Sequence, residues 1–223
     1  MKEIGIFDVI GPNMIGPSSS HTAGALRIAY LARKIANEKV VEVTFKLYGS
    51  FSKTYQGHGS DRALLAGILG HDSDDIRIRD AFLEAKEKNV SYTFELMEDR
   101  HSYHPNTVVI EMRSISGRKV SVRGESIGGG NIVIRNIDGV EIDLSGEYHT
   151  IVIRQKDTPG IVARISECLA NYNINIAFMK LYREDKGANA YTIIETDDAI
   201  CKDVLKKVLE DAAIASAVYI ERS

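Results

Sequence analysis

Cysteine is scarce in this chain: Cys168 and Cys201 are the only two among 223 residues. Zinc sites and iron–sulfur clusters usually take four ligands, several of them cysteine thiolates, so two cysteines cannot supply such a site. Both lie in segments with apolar periodicity, and we expect both to be small buried side chains. The sequence therefore predicts that this chain holds no metal by itself.

Basic runs and long apolar runs are also missing. Lys and Arg number 28 and Asp and Glu 31, which gives a net charge of −3 without a basic stripe and argues against a nucleic-acid partner. No apolar run approaches the length of a membrane span, and the first residues lack the apolar core and cleavage site of a signal peptide. We therefore expect a cytoplasmic protein without a membrane partner.

Nucleotide-binding motifs are absent as well. The chain has no P-loop, and the glycines at 128–130 are followed by strand patterns, whereas a dinucleotide fingerprint requires a helix there. The hydrophobic content of 44% nevertheless suffices for a packed core. The composition and motifs therefore predict a folded protein that has no recognisable nucleotide-binding site.

The most informative stretch that is present reads Gly-Pro-Ser-Ser-Ser-His-Thr-Ala-Gly at residues 16–24. A helix is predicted over residues 22–37, and its first-turn N–H groups and macrodipole suit an anion such as a carboxylate. His21 adds a group that can carry a proton near neutral pH. An elaborate N-cap is the structural alternative, although one serine is enough for a cap. Hydroxyls that can donate to the same anion come from Ser18, Ser19, Ser20 and Thr22.

A second glycine-rich segment, predicted as a loop over residues 48–59, places His58 between two glycines. Glycine lets the backbone approach a ligand closely. A short helix is predicted over residues 61–69, with Ser60 or Asp61 as its cap, and a helix start would keep His58 neutral and ready to accept a proton. The structural alternative is a histidine in a surface turn.

Two further polar segments adjoin predicted strands. His104 and Asn106 stand at the entrance of a strand, where they can reach the same cleft or form a solvated connection. Glu125 and Ser126 begin a glycine-rich segment that we interpret as a tight bend or a backbone N–H nest, although both side chains could reach a cleft.

The predicted elements divide the chain into two halves, residues 1–146 and 147–223. In the first half the helices are predicted over residues 22–37, 61–69 and 75–88, and the strands over residues 4–10, 40–47, 92–97, 107–112, 119–123, 132–137 and 140–144. The second half reads βαββαβ in roughly 75 residues, which predicts a ferredoxin-like unit. The fold class is thus α/β (α+β), with a mixed α/β domain followed by a ferredoxin-like domain.

Two of these motifs carry a family resemblance. The sequence of residues 16–24, with Gly11-Pro12 before it, and Gly-His-Gly-Ser-Asp-Arg-Ala-Leu-Leu at residues 57–65 resemble the β subunit of iron–sulfur-dependent L-serine dehydratases. The second half resembles an ACT domain, a βαββαβ module that senses small molecules. The combination resembles the two-chain bacterial form of the enzyme.

The resemblance implies an L-serine ammonia-lyase that converts L-serine to pyruvate and ammonia. It implies a four-iron–four-sulfur cluster whose cysteines belong to a separate α subunit, so that the enzyme is a heterodimer and this chain is inactive alone. It also implies that the first half has the fold of the substrate-sensing domain of some D-3-phosphoglycerate dehydrogenases. The serine-rich segment and the histidines would face the cluster across the subunit interface.

Roles for individual residues follow as expectations. We expect His58 to be the general base and His21 to position substrate or relay a proton, with His104 and Asn106 as secondary candidates at the substrate. Dehydration of serine requires a positioned base and a stabilised carboxylate, because the α C–H is a weak acid. The expected ligands of the substrate carboxylate are Ser18, Ser19, Ser20 and Thr22.

The ACT half carries a second expectation. The positions that match an amino-acid effector site are Asp157, Gly160 and Asn175, and ACT domains imply self-association. The stretch from Asp157 to Gly160 is also a good turn and helix cap. Two alternatives stay open for the whole chain: a non-catalytic, amino-acid-sensing regulatory subunit, and a structural subunit that only stabilises the α chain.

Overall fold

The computed structural model describes residues 14–222, which fall into two compact units, one ending at Asp138 and the other beginning at Gly139. The strand expected over residues 4–10 and the Gly11-Pro12 pair lie outside the described residues. None of the helices in the described part of the chain is long and apolar enough to cross a membrane.

The first unit contributes five strands to a sheet, in the order β2-β1-β3-β4-β5. Strand β1 is parallel to β2, and every other neighbouring pair is antiparallel. The strand predicted over residues 40–47 is confirmed as β1, in which Val43, Phe45 and Leu47 are fully buried while Glu42 is exposed. The strands are β1 (Val40–Leu47), β2 (Ser91–Leu96), β3 (Thr107–Ser114), β4 (Lys119–Gly128) and β5 (Asn131–Ile137).

The helices of this unit either precede β1 or lie between β1 and β2. The serine-rich stretch forms a π-helical turn, Ser19–Gly24, that runs directly into α1. A 3₁₀ turn, Ile76–Asp80, precedes the last helix. The helices are α1 (Ala25–Ala36), α2 (Gly49–Thr54), α3 (Ser60–Leu69) and α4 (Ala81–Glu87).

Three local expectations for this unit are wrong. The helix predicted from residue 22 begins earlier, because the serine-rich stretch forms a π-helical turn from Ser19. The loop expected over residues 48–59 contains α2. The helix expected over residues 75–88 is split into a 3₁₀ turn and a shorter helix. Ile78, Ala81 and Ala85 are buried there, whereas Ile76 and Leu83 are exposed.

Helices α1 and α3 pack against each other at close range. A Cβ on Gly67 would lie 2.4 Å from the carbonyl oxygen of Leu26, so only glycine allows this backbone approach. At the N-terminal ends, the Thr22 hydroxyl donates to the carbonyl of His58 (2.9 Å) and the Ser60 hydroxyl donates to the carbonyl of His21 (2.7 Å). The two segments that carry these histidines are therefore fixed at the same end of the helix pair.

The predicted βαββαβ order is confirmed over residues 149–220 of the second unit, and one further strand, at residues 140–144, precedes it. Its antiparallel sheet has the order β10-β7-β9-β8, and both helices pack on one face around Ile151, Ile153, Ile165 and Val204. The elements are β6 (Val140–Leu144), β7 (His149–Lys156), α5 (Ile161–Asn171), β8 (Ile176–Arg183), β9 (Asn189–Thr196), α6 (Lys202–Leu209) and β10 (Ile214–Ile220).

The expectation that both cysteines are buried is wrong. Cys168 is half-buried beside the apolar core of the second unit, and Cys201 is exposed. Cys201 occupies the N-cap position of α6, where the backbone is extended, so it is not part of the apolar face of the helix.

Candidate active site

The serine-rich turn places its hydroxyls at the start of the long helix that continues as α1. Ser18 is the N-cap, with an extended backbone, and its Oγ accepts from the backbone N–H of His21 (3.1 Å). Ser19 and Ser20 follow, both half-buried, and neither hydroxyl has a hydrogen-bond partner among the described residues. The turn therefore offers two serine hydroxyls together with the N–H groups of a helix start. A π-helical turn is uncommon and is frequent at functional sites.

His21 lies between two serine hydroxyls. Its Nε2 is 2.9 Å from the Oγ of Ser50, and its Nδ1 is 3.4 Å from the Oγ of Ser18. The ring also contacts Phe51 edge-on, with the centroids 5.4 Å apart. Burial lowers the pKa of His21 below its ordinary value, and the neighbouring ring of His58 lowers it further. His21 is therefore neutral near neutral pH.

His58 is the second imidazole of the site. Its ring centroid lies 4.8 Å from that of His21, with the planes 34° apart. The Nδ1 of His58 is buried and has no hydrogen-bond partner among the described residues. A buried ring nitrogen without a partner is costly, and it leaves an acceptor or donor available to a ligand.

The cap expected for α3 is wrong, and the difference explains how His58 is held. The N-cap is Gly59, in the left-handed region at φ +68, and it makes no side-chain cap. The Ser60 hydroxyl turns to the carbonyl of His21, and the Asp61 carboxylate accepts from the N–H of Arg62. Ser60 thus ties the two histidine segments together.

His104 and Asn106 lie on a segment that packs against α2. The backbone N–H of Ser50 donates to the carbonyl of Pro105 (2.7 Å), and a Cβ on Gly49 would lie 2.4 Å from that same oxygen. The Nδ1 of His104 accepts from the N–H of Asn106 (3.2 Å). The Oδ1 of Asn106 is buried without a partner among the described residues. The structure therefore brings this segment to the edge of the site through Ser50.

The fourth segment, at Glu125 and Ser126, closes the other side of the serine-rich turn. Ser126 is fully buried, and a Cβ on Gly24 would lie 2.1 Å from its Oγ. Its N–H donates to the carbonyl of Asn106 (3.0 Å). Glu125 pairs with Arg135 at 2.9 Å. This segment supports the turn from behind.

The arrangement suits carboxylate binding and proton transfer. Serine hydroxyls and helix N–H groups can hold an anion, and two imidazoles, one kept neutral by burial, can accept a proton beside it. Sequence reasoning missed Ser50 as a member of this site, and the spacing carries no signal for it, because its contact with His21 joins residues 29 apart.

The residues present do not fit the ligand set of an iron–sulfur cluster. Both cysteines lie in the second unit, away from these histidines in the chain, and no group of three His, Cys, Asp or Glu residues within residues 14–222 could hold a metal ion. The ligands of such a cluster therefore do not come from the part of this chain that the structure describes.

The positions matched to an effector site lie at the start of α5 and β8. The carboxylate of Asp157 accepts from the N–H of Gly187 (3.1 Å) and pairs with Arg183 (3.3 Å). Gly160 is the N-cap of α5 at φ +82, and Asn175 is exposed just before β8. Asp157 thus already has cationic and N–H partners within its own unit.

Comparison with known proteins extends over both units. A family model described as "Serine dehydratase beta chain" matches residues 5–136, and one described as "ACT domain" matches residues 149–213. The chain is 38% identical over 222 residues to the "L-serine dehydratase, beta chain" of Peptoniphilus asaccharolyticus, covering 99% of this chain and 100% of that protein. It is 40% identical over 208 residues to the "Probable L-serine dehydratase, beta chain" of Bacillus subtilis, covering 93% and 94%. It is also 25% identical over 202 residues to the D-3-phosphoglycerate dehydrogenase of Bacillus subtilis, covering 87% of this chain and 37% of that protein.

Proposed function

Because the chain belongs to the serine dehydratase β-chain family and carries an ACT domain, we propose that it is the β subunit of an L-serine dehydratase. Together with a separate α subunit it converts L-serine to pyruvate and ammonia. We assign the four-iron–four-sulfur cluster to the α subunit, as the family resemblance implies, and the absence of a metal ligand set within residues 14–222 is compatible with that assignment. This chain supplies the groups that bind the substrate and move its protons.

The observation that carries the proposal is the pairing of His21 and His58, whose rings lie 4.8 Å apart beside a turn of serine hydroxyls. Loss of water from serine requires removal of the α proton, and a weak C–H acid needs a base next to a stabilised carboxylate. The two imidazoles and the helix start supply those two functions at one place.

Ser19 and Ser20 bind the substrate carboxylate, helped by the N–H groups of the helix start and by the hydroxyl of Ser18. Thr22 was expected to join them, but it is 3% exposed and its proton is committed to the carbonyl of His58. We therefore assign Thr22 to holding His58 in place.

His58 is the general base that takes the α proton. Its Nδ1 has no partner among the described residues, whereas both ring nitrogens of His21 face serine hydroxyls. His21 positions the substrate and relays protons. His104 and Asn106 are secondary candidates, because the Nδ1 of His104 is occupied by the N–H of Asn106.

The second unit senses an amino acid. The effector site includes Asp157, Gly160 and Asn175, and two copies of the unit associate to complete it. Isothermal titration of the full chain with L-serine tests this part. Heat that disappears in Asp157→Ala supports it, and the absence of heat with any amino acid contradicts it.

The non-catalytic alternative, an amino-acid-sensing regulatory subunit, rests on the ACT domain match over residues 149–213. The deciding experiment is reconstitution under anaerobic conditions. The chain is mixed with the cluster-bearing α subunit, and pyruvate formed from L-serine is measured. The proposal predicts pyruvate only when both chains are present. A regulator predicts that the α subunit makes pyruvate alone and that this chain changes the rate.

A further inference from the structure

We propose that Ser50 is a positioning residue that holds His21 in the tautomer with its proton on Nδ1, by donating its hydroxyl proton to Nε2. In this way Ser50 decides that the proton taken up during the reaction goes to His58 and not to His21. The second statement rests on the proposed function, whereas the first concerns only this chain.

The charge of His21 is the first step. Its ring is neutral near neutral pH, because burial and the adjacent His58 both lower its pKa. A neutral imidazole carries one proton, so one ring nitrogen donates and the other accepts. The two hydroxyls on either side of the ring must therefore play opposite parts.

The hydrogen bonds around the ring assign those parts. The Oγ of Ser18 already accepts from the backbone N–H of His21, and its second lone pair can accept from Nδ1–H. The Oγ of Ser50 has Nε2 of His21 as its hydrogen-bond partner, at 2.9 Å. Donation to Nε2 gives the Ser50 proton an acceptor, and it uses the lone pair that a charged ring would lack.

The backbone around Ser50 is anchored on both sides, which makes it suitable for positioning. Its N–H donates to the carbonyl of Pro105 (2.7 Å), and its carbonyl accepts from the hydroxyl of Thr54 (2.8 Å). Gly49, at φ +56, allows the chain to pass against Pro105. The hydroxyl is therefore presented to His21 from a fixed support.

The consequence for His58 is electrostatic. A positive charge on His21, 4.8 Å away between ring centroids, would disfavour a second positive charge on His58. By stabilising the neutral form of His21, the Ser50 hydroxyl preserves the capacity of His58 to accept a proton. Ser50 acts on His58 only through His21.

Nuclear magnetic resonance of the full chain, labelled with ¹⁵N at its histidines, tests the assignment directly. In the wild type, His21 should show a protonated Nδ1 and an accepting Nε2. Ser50→Ala should mix the tautomers and raise the titration midpoint of His21. The matched control is Ser52→Ala on the same helix, whose hydroxyl donates to the carbonyl of Gly49 (3.0 Å) and should leave His21 unchanged.

The second readout uses the enzyme reconstituted with its α subunit. Ser50→Ala should lower kcat by about tenfold to a hundredfold at nearly constant KM, the scale expected for a displaced catalytic group. The acid limb of the pH profile should move to higher pH, and Ser50→Thr, which keeps the hydroxyl, should restore much of the loss. If Ser50→Ala does not fold, Ser50→Cys provides a weak donor of similar size and should give an intermediate shift.

Three outcomes overturn the proposal: a wild-type His21 with its proton on Nε2, a Ser50→Ala spectrum that keeps the wild-type tautomer and midpoint, or a kinetic effect no larger than that of Ser52→Ala. If the wild-type complex forms no pyruvate, the proposed function fails, but the spectra still decide whether Ser50 sets the tautomer.

Discussion

Replacing Gly24 with Ala should disturb the serine-rich turn without touching any group that binds or reacts. Gly24 ends the π-helical turn at φ −62 and ψ −43, a conformation that alanine adopts easily. There is no room for the new methyl group, because its Cβ would lie 2.1 Å from the Oγ and 2.8 Å from the Cβ of Ser126. Ser126 is fully buried, so rotation of its hydroxyl cannot remove the second contact.

The magnitude follows from these distances. An ordinary C···O contact is about 3.3 Å, so the turn and β4 must separate by about 1 Å. Overpacking of this kind costs about 1–3 kcal/mol, and the helix preference of alanine over glycine returns about 0.5–1 kcal/mol. The net loss of unfolding free energy should therefore be about 1 kcal/mol, within a range of about 0–2.5 kcal/mol. A shift of about 1 Å in the turn that carries His21 can lower turnover about a hundredfold.

Urea unfolding of the full chain and turnover of the reconstituted enzyme measure the two effects. Gly57→Ala is the matched control, because its nearest neighbour would be the carbonyl oxygen of Thr54 at 3.7 Å, and it should be nearly neutral. Ser126→Gly combined with Gly24→Ala should recover most of the stability. A Gly24→Ala protein with wild-type stability and turnover would refute the packing argument.

Three further predictions concern charged groups. Burial and the neighbouring His58 lower the pKa of His21, so the unfolded chain binds a proton at His21 at a higher pH than the folded chain does, and stability should fall as the pH drops through the ordinary histidine value. Because burial remains, His58→Asn should raise the titration midpoint of His21 only partly, as followed by ¹⁵N titration. Burial alone would raise the pKa of Glu84, but hydrogen bonds, including one from His71, lower it overall. The ionised carboxylate therefore stabilises the fold above the unfolded pKa of 4.5, and this stabilisation is lost as the pH falls through the folded pKa. Glu84→Gln should flatten the dependence of urea stability on pH in that acid range. Asp157→Ala removes a half-exposed ion pair and one N–H bond, and calorimetric unfolding should show a loss of about 1 kcal/mol.

Local patterns predicted the elements that periodicity governs. The strand predicted over residues 40–47 has the observed bounds of β1, because its apolar residues bury one face against the core of its unit. The family resemblance drawn from the motifs at 16–24 and 57–65 is confirmed by the comparisons.

The errors have a common physical cause in glycine and in contacts between distant residues. Gly49 led to a loop prediction where the structure has the short helix α2, because a glycine in a sequence usually indicates a turn. In the structure its positive φ and missing side chain allow the close approach of Pro105. The approach of α1 and α3 depends on Gly67 facing Leu26, which no periodicity reveals. Ser50 belongs to the site only because the folded chain brings it to His21, 29 residues away in the sequence.

We propose that His58 of this chain takes the α proton of serine, in a reaction whose iron–sulfur cluster lies on another subunit. The most direct test is turnover of L-serine to pyruvate by the reconstituted complex carrying His58→Ala, with His104→Ala as the control. Cluster absorbance and co-purification should show that both variants still assemble with the α subunit. We expect His58→Ala to lose at least about a hundredfold in kcat and His104→Ala to lose much less. Near-normal turnover by an assembled His58→Ala complex would contradict it.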